Sequence, residues 1–222
     1  MCQELSVSLI VDAMSSFGAL ELNVRALGID TVVASSNKCL ERAPGVGFAI
    51  IREAMLRNCA AHAPSLSLDL CYQSRGFAHN NKWRFTPPTH VLAALHQALI
   101  EHESEGGVAG RGAHYRQNMD FMLEGMRKLG FRPLLPGSLQ APIIMTLHMP
   151  TDPAFNFDLF YNRLAALGFV IYPGKLTLAN SFRIGCIGRL GEAEMSGALA
   201  AISATLSEMN VNLTHAEESR AA

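Results

Sequence analysis

Short apolar runs separated by turn-forming or amphipathic stretches dominate the first half of the chain. Residues 5–11 and 31–37 are rich in β-branched residues and lack a long helical repeat, so each run predicts a buried parallel strand. Residues 21–28 lie between the two runs, and their apolar spacing predicts a short helix. This βαβ order predicts that the two strands lie side by side in one sheet. A glycine-punctuated run at 43–51 predicts the next strand of the same sheet.

The hydrophobic pattern changes after about residue 130. A helix with an apolar stripe is predicted at 113–129, and Gly130 is its expected C-terminal cap. The remaining pattern predicts a strand at 143–147, a helix at 157–167, strands at 169–172 and 182–185, and a helix at about 191–209. The expected organisation is an α/β domain at 1–105, a connecting helix at 106–130, a small α+β domain at 131–212 and a tail at 213–222.

Composition argues against several classes of function. With 222 residues, 49% of them apolar, the chain can bury a sizeable core. The 18 basic and 19 acidic residues give a formal charge of −1, which argues against a nucleic-acid partner. No apolar run approaches the roughly 20 residues of a membrane span, and the first residues lack the basic start of a signal peptide. We therefore expect a cytoplasmic protein.

Metal binding and disulfide bonding are not indicated either. The 5 cysteines are widely spaced and form no CxxC pair, so reduced thiols are expected. His90, His96 and His102 recur at a spacing that places them on different faces of a helix, and no carboxylate completes a metal set. We expect these histidines to be exposed or satisfied by local hydrogen bonds.

Two charged residues follow the predicted strands of the first domain. Asp12 closes the first run and Lys38 the second, so both are expected at the crevice beyond the carboxyl ends of the strands, where open α/β sheets bind ligands. A carboxylate and an amine placed in this way can hold a pyridine ring that carries an aldehyde. Backbone on both sides of Lys38 is expected to desolvate the amine partly, which favours its neutral, nucleophilic form. The ordinary alternatives stay open: Asp12 as a helix cap and Lys38 as a solvated surface charge.

Several motifs together carry a resemblance to a known family. They are VDAMSSFG (11–18), SNKC (36–39), KWRFT (82–86), GFVIYPGK (168–175) and FRIG (182–185). In order and spacing they resemble the 2-aminoethylphosphonate–pyruvate transaminase family, and the resemblance covers nearly the whole chain. That family belongs to the fold type I, aspartate-aminotransferase-like enzymes. The resemblance implies an α/β fold: part of a large domain with a parallel-type sheet, and a small C-terminal α+β domain.

The resemblance also implies an activity and a role for particular residues. The family uses pyridoxal 5′-phosphate to move the amino group of 2-aminoethylphosphonate to pyruvate, which gives phosphonoacetaldehyde and L-alanine. Asp12 would pair with the pyridine nitrogen, and Lys38 would hold the coenzyme as a Schiff base and move the substrate proton. Arg183 would grip the carboxylate of pyruvate or alanine; its alternative is an ordinary surface arginine of a strand. Thr86 would reach the coenzyme phosphate of the other subunit, which implies a homodimer; its alternative is a plain helix N-cap.

Some neighbours of these residues keep two interpretations. Trp83 lies between Lys82 and Arg84, and this group could line the entry of an anionic substrate or pack at an interface. Ser36 could donate a hydrogen bond to a phosphate or could be a buried serine bonded to backbone.

The chain departs from the family at two points. Arg42 stands where the family has a small residue or glycine, and this bulky cation close to Lys38 would disturb the turn. The family's first half, with its Gly/Ser/Thr phosphate loop and its ring-stacking aromatic, has no counterpart, so we expect a segment N-terminal to Met1 to be missing. Cys39 either tunes the neighbouring amine or fills space. Two rival hypotheses therefore stand beside the transaminase: a related alanine–glyoxylate or serine–pyruvate type aminotransferase, and a catalytically silent, truncated remnant.

Overall fold

The computed structural model describes residues 2, 4–60, 62–174 and 179–213 of the chain. Lys175, which ends one of the family motifs, and residues 214–222 of the predicted tail lie outside the described residues. The chain divides into two compact units, Met1–Arg111 and Gly112–Ala222. This division falls inside the predicted connecting helix, and the predicted domain boundaries themselves stay predictions.

A mixed sheet is the centre of the first unit. Among the described residues it contains β1 (Ile10–Asp12), β2 (Thr31–Ser35) and β3 (Gly47–Ile51), in that spatial order. β1 and β2 are parallel, as predicted. β3 is antiparallel to β2, so the described part of this sheet is mixed, with one parallel and one antiparallel pairing.

Two predicted elements near the start of the chain differ from the structure. The first strand begins later than predicted, at Ile10, because Ser6 adopts a φ of 53° that interrupts the extended backbone. Residues 21–28 form turns and no helix. The Asn23 side chain accepts the Ala26 N–H at 3.0 Å, and such a local hydrogen bond competes with helix formation.

The helices that follow the sheet are α1 (Glu53–Asn58), α2 (Leu70–Asn80), α3 (Thr89–Ser104) and α4 (Gly107–Lys128). The buried cluster around β1 and β2 is small and consists of Ala13, Ile29 and Val32, with partly buried neighbours. Ile10 is 60% exposed although it lies within a strand. Within the described part of the chain, no helix is both long and apolar enough to cross a membrane.

The second unit is an α+β arrangement on an antiparallel sheet. In chain order its elements are β4 (Ile144–His148), α5 (Phe157–Ala166), β5 (Tyr172–Pro173), β6 (Ser181–Gly185) and α6 (Glu192–Glu208). The spatial strand order is β4-β6-β5, with both pairings antiparallel. Each predicted element occurs within a few residues of its expected place, except that the strand predicted at 169–172 is confined to β5.

Aromatic rings form the centre of the second unit's core. Phe160 and Phe182 are fully buried, and the centroid of the Phe182 ring lies 5.8 Å from that of Phe160 and 5.5 Å from that of Phe131. Both rings meet Phe182 nearly edge to face, the arrangement that the charge distribution of aromatic rings favours. The core also contains buried methionine and leucine side chains, among them Met122, Met126, Met145, Leu147 and Leu164.

Gly130 caps α4 as the sequence predicts. Its φ is +93°, a left-handed conformation that favours glycine. The Gly130 N–H donates to the Arg127 carbonyl at 2.9 Å, and the Phe131 N–H donates to the Met126 carbonyl at 2.9 Å. These two hydrogen bonds are those of a Schellman motif, which satisfies the last carbonyl groups of the helix. A Cβ atom here would lie 2.7 Å from the Leu213 carbonyl oxygen, so the position requires glycine for space as well.

Candidate active site

Asp12 and Lys38 lie at one edge of the first unit's sheet. Asp12 is the last residue of β1, and Lys38 follows the end of β2, at Ser35, by three residues. Because β1 and β2 are parallel neighbours, their carboxyl ends meet at the same edge. Ala13 extends the pairing by donating its N–H to the Val33 carbonyl at 2.9 Å. The parallel pairing therefore brings the two predicted site residues to one side of the sheet.

The Asp12 side chain is exposed, and part of it is held by the backbone. Its Oδ1 accepts the N–H of Met14 at 2.9 Å. The residues that follow form turns and no α-helix, so Asp12 does not cap a helix as its ordinary alternative supposed. The contact with Met14 fixes one carboxylate oxygen, and the exposure of the residue leaves the carboxylate accessible to a ligand.

Lys38 is exposed, so the expected desolvation of its amine is wrong. Neighbouring backbone surrounds the peptide group of Lys38, whereas the residue's side chain is exposed to solvent. The Lys38 carbonyl accepts the N–H of Glu41 at 2.8 Å, and Glu41 has a φ of +55° that turns the chain back. The main chain is thus fixed where the side chain is free to project outward.

The loop after β1 and the loop after β2 are tied to each other. The thiol of Cys39 is fully buried and donates to the Ser15 carbonyl at 3.1 Å. Leu40 packs against Gly18, where an added Cβ would lie 2.9 Å from a Leu40 methyl carbon. Cys39 therefore fills space and links the segment that follows Asp12 to the segment that carries Lys38.

Burial makes the Cys39 thiol a weak acid. Loss of solvation raises the pKa of Cys39 from an ordinary value of 9.0 to about 11, although the positive charges of Arg111 and Lys38 act in the opposite direction. The thiol therefore stays neutral at the pH values at which most enzymes work. A neutral thiol beside Lys38 supplies no charge that would tune the amine.

We expect Cys39 to make the stability of the chain fall as the pH rises from 9 to 11. Below pH 9 the thiol is protonated in both folded and unfolded chains and has no effect. Above pH 9 the unfolded chain releases the proton that the folded chain keeps, which lowers the free energy of unfolding by up to about 1.4 kcal/mol per pH unit. Urea unfolding at pH 8.5 and 10.5 should show a smaller decrease for Cys39→Ala than for the unmodified chain. Equal decreases would contradict the assignment. Cys186→Ala should also show a smaller decrease than the unmodified chain, because burial raises the pKa of Cys186 to about 12.

Two neighbours of Lys38 are bound within the protein. The hydroxyl of Ser36 donates to the Ala43 carbonyl at 3.0 Å, so the backbone-bonded interpretation of this buried serine is the observed one. Arg42 does not disturb the turn, because its guanidinium is directed to Glu101 of α3 with an N–O distance of 3.0 Å.

Thr86 and the residues before it form an exposed segment. Thr86 is not the N-cap of α3: the cap position is Pro88, which makes no side-chain cap bond, and the helix begins at Thr89. Its hydroxyl is exposed three residues before the helix. Trp83 is 48% exposed and meets Phe77 edge to face at 5.1 Å, which is compatible with either of its interpretations.

Arg183 belongs to the second unit, whereas the other candidates belong to the first. It lies in the central strand β6, and its neighbours Phe182 and Ile184 are buried on the opposite face, as strand alternation predicts. Its Nε donates to the Pro173 carbonyl at 3.3 Å. Among the described residues of this unit, Arg163 forms an ion pair with Glu208, whereas no ion pair of Arg183 is found.

No sequence pattern marks the residues that support the two loops. The ring nitrogen Nε2 of His102 lies 2.6 Å from the Gly18 carbonyl and must donate, because a carbonyl oxygen only accepts. Glu101 holds Arg42, and Arg111 contacts the Cys39 carbonyl at 2.6 Å. These partners are 59 to 84 positions apart in the sequence, so no local motif marks them. His90 and His96 are exposed, as predicted, and the described residues contain no cluster that could hold a metal ion.

The fold is that of the fold type I aminotransferases. Pyridoxamine–pyruvate aminotransferase from Mesorhizobium loti matches with a TM-score of 0.85 at 22% sequence identity, over 96% of this chain and 56% of that protein. Ureidoglycine–glyoxylate aminotransferase from Bacillus subtilis matches with a TM-score of 0.82 at 24% identity, over 97% of this chain and 56% of that protein. At such low identities the likeness shows the fold alone.

The sequence identifies the family. The sequence model described as aminotransferase class-V matches residues 1–151, well over half of the chain. The chain belongs to the class-V aminotransferase family. The matched residues of this class-V aminotransferase include Asp12, Lys38 and Thr86, whereas Arg183 lies beyond them.

Curated relatives of this class-V aminotransferase share one name. A 2-aminoethylphosphonate–pyruvate transaminase from Burkholderia lata is 48% identical over 210 residues, which are 95% of this chain and 56% of the relative. The one from Paraburkholderia phymatum is 48% identical over 213 residues, which are 96% of this chain and 58% of the relative. The chain therefore spans little more than half the length of the curated relatives it matches.

Proposed function

We propose that this class-V aminotransferase acts with pyridoxal 5′-phosphate to transfer the amino group of 2-aminoethylphosphonate to pyruvate, giving phosphonoacetaldehyde and L-alanine. The observation that carries the proposal is 48% identity, over 95% of the chain, to a relative that bears this name. Asp12 and Lys38 at one edge of a parallel strand pair are compatible with it. The resemblance of the family motifs points to the same reaction.

Residues at the sheet edge fit the ring of the coenzyme. The exposed Asp12 carboxylate can face a pyridine nitrogen and favour its protonated form, and the exposed Lys38 amine can reach an aldehyde. Bound pyridoxal phosphate would supply an electron sink for the charge that develops on the substrate carbon. The Ser36 hydroxyl does not fit a phosphate donor, since it already donates to Ala43. Thr86, exposed and ahead of α3, is the proposed contact to the phosphate held in the other subunit of a homodimer.

Lys38 has two proposed roles. Its amine would hold the coenzyme through the aldehyde carbon, and the same amine would take the proton from the amine-bearing carbon of the substrate. Its exposure makes it accessible for both steps. Hydrogen bonding of its carbonyl to Glu41 holds the main chain from which the side chain projects.

Arg183 is the proposed carboxylate ligand for pyruvate and alanine. Among the described residues its Nε donates to the Pro173 carbonyl at 3.3 Å, and a guanidinium has further N–H groups that can bind a carboxylate in a bidentate way. The alternative, a surface arginine of a strand, is compatible with the same contact. Arg183→Lys distinguishes the two, because lysine keeps the charge and loses the planar fork.

Two other functions have observations in their favour. An alanine–glyoxylate aminotransferase from Nostoc has the same fold, with a TM-score of 0.81 at 21% identity. A catalytically silent chain is favoured by the solvent exposure of both Asp12 and Lys38.

The first test is covalent capture of the coenzyme by the chain. The purified chain is mixed with pyridoxal phosphate, followed by visible absorbance, then reduced with borohydride and digested for mass spectrometry. We expect a visible band and a coenzyme adduct on the peptide that contains Lys38, with the peptides of Lys82 and Lys128 as internal controls. An unchanged spectrum and no adduct at Lys38 would favour the remnant.

The second test is a competition between amino donors. The loaded chain receives pyruvate with 2-aminoethylphosphonate, alanine with glyoxylate, or serine with pyruvate, and the products are followed by NMR. We expect consumption of 2-aminoethylphosphonate with formation of alanine. Consumption of the other donors alone would exclude the phosphonate reaction and leave the related aminotransferase.

A further inference from the structure

Arg111 is a buried cation at the start of α4, only 3% exposed. Its Nη1 donates to the Cys39 carbonyl at 2.6 Å. Its Nε and Nη2 both lie 2.5 Å from Oε2 of Glu105, and Nη1 lies 3.4 Å from Oε1 of Glu41. The planar guanidinium thus contacts two carboxylates and a peptide carbonyl at the same time. The compact ammonium group of a lysine is poorly suited to this combination.

The contacts of Arg111 fall on the carboxyl side of Lys38. Cys39 is the next residue in the chain, and Glu41 is the residue whose N–H donates to the Lys38 carbonyl at 2.8 Å. Arg111 therefore fixes the peptide group after Cys39 through its carbonyl, and fixes Glu41 through its carboxylate. The peptide group between Lys38 and Cys39 is therefore held by the Glu41 N–H, and the peptide group between Cys39 and Leu40 is held by Arg111.

Stability alone is a weak reason for this cluster. Removing charged groups from water costs much of the free energy that their attraction returns, so buried ion pairs contribute little net stability. What such a cluster contributes is a defined geometry, because the directed N–H groups of Arg111 meet their acceptors in one arrangement. The backbone next to Lys38 is therefore held in one defined conformation.

We propose that Arg111 is a positioning residue for Lys38: by holding the Cys39 carbonyl and Glu41, it fixes the loop so that the Lys38 amine is presented at the sheet edge that carries Asp12. This inference rests on the proposed function, in which Lys38 reacts with the coenzyme. A displacement of about 1 Å in a reacting group can cost about a hundredfold in rate, so a loose loop would slow the reaction of Lys38 without abolishing it.

The test compares two reagents that react with the same amine. Pyridoxal phosphate must be oriented by the site, whereas formaldehyde with cyanoborohydride methylates any accessible amine. For Arg111→Lys, we expect capture of the coenzyme at Lys38 to slow by roughly tenfold to a hundredfold. Methylation of Lys38, measured by peptide mass spectrometry, should change by less than twofold. Hydrogen exchange of residues 38–42 should become at least tenfold faster.

The matched control is Arg52→Lys. Arg52 also pairs with a carboxylate, that of Asp30 at 2.8 Å, and donates to the Gly28 carbonyl at 3.5 Å. It follows β3, beside the amino end of β2, whereas Lys38 follows the carboxyl end of β2. Coenzyme capture by this variant should equal that of the unmodified chain. Since Arg111→Lys could impair folding, a second variant, Arg111→Met with Glu105→Gln, removes the buried cation together with the charge of its partner and should show the same slow capture.

Several outcomes would overturn the positioning role. Capture by Arg111→Lys at the rate of the unmodified chain is one of them. Parallel decreases in capture and methylation are another, because they indicate general unfolding. If the unmodified chain captures no coenzyme, the proposed function fails and the positioning role fails with it. Hydrogen exchange then tests only the structural part: accelerated exchange of 38–42 in Arg111→Lys supports the fixing of the loop by Arg111, and unchanged exchange overturns it.

Discussion

Replacing Lys38 with alanine is expected to lower the rate of amino-group transfer by about a thousandfold, within the range of 10²–10⁴ typical for loss of a general acid–base residue. The variant also loses the covalent attachment of the coenzyme, so both proposed roles of Lys38 disappear together. The rate is measured as alanine formed from pyruvate and 2-aminoethylphosphonate. Added methylamine, a small primary amine, should restore part of the activity because it can take the place of the missing amine.

The control for this experiment is Lys128→Ala. Lys128 is an exposed lysine of the second unit that pairs with Glu124 at 2.6 Å, and its removal should leave the rate unchanged. A Lys38→Ala variant that keeps the rate within a few-fold of the unmodified chain would show that another group performs the proton transfer.

Phe182→Ala is expected to have the largest effect on stability. The ring is fully buried, with the rings of Phe131 and Phe160 at centroid distances of 5.5 and 5.8 Å. Truncating a buried phenylalanine typically costs about 3–5 kcal/mol, because apolar contacts are lost and a cavity remains. Since a whole domain is stable by only about 5–15 kcal/mol, the second unit should be close to unfolding.

Hydrogen exchange of β6 and β4 amides measures this effect, because Trp83, the sole tryptophan of the sequence, belongs to the first unit and its fluorescence does not report on β6. The matched control is Val170→Ala in the same unit, where the side chain is 60% exposed and the expected change is within about 0.5 kcal/mol. Protection of β6 in Phe182→Ala equal to that in the control would contradict the role of the aromatic core.

Much of the fold could be predicted from local pattern. The parallel pairing of β1 and β2 followed from two β-branched runs at βαβ distance, and Gly130 followed from the end of an apolar stripe. No direction was predicted for β3, although the sequence contains a signal for it. The connection at 36–46 is shorter than the dozen or more residues that a parallel crossover requires, so an antiparallel return was the expected geometry.

The candidate site was predictable only in part. The positions of Asp12 and Lys38 followed from the ends of apolar runs, because strand ends meet at one sheet edge when strands are parallel. The exposure of Lys38 was not predictable, since solvation depends on which segments cover a loop. Arg111 was missed for a related reason: it is 72 positions from Cys39, and a buried arginine has no local signature before the fold brings its acceptors together.

The closed loop at residues 37–42 bears on how tightly the chain could hold a ligand. The Ser36 carbonyl closes it by accepting the Arg42 N–H at 3.0 Å, and the Ser36 N–H donates to the Val46 carbonyl at 3.1 Å. Its backbone is therefore already ordered before any ligand arrives. Only the flexible side chain of Lys38 has freedom left to lose on binding, a penalty of about 0.5–1.5 kcal/mol. Such a pre-organised loop leaves most of the interaction energy available as affinity.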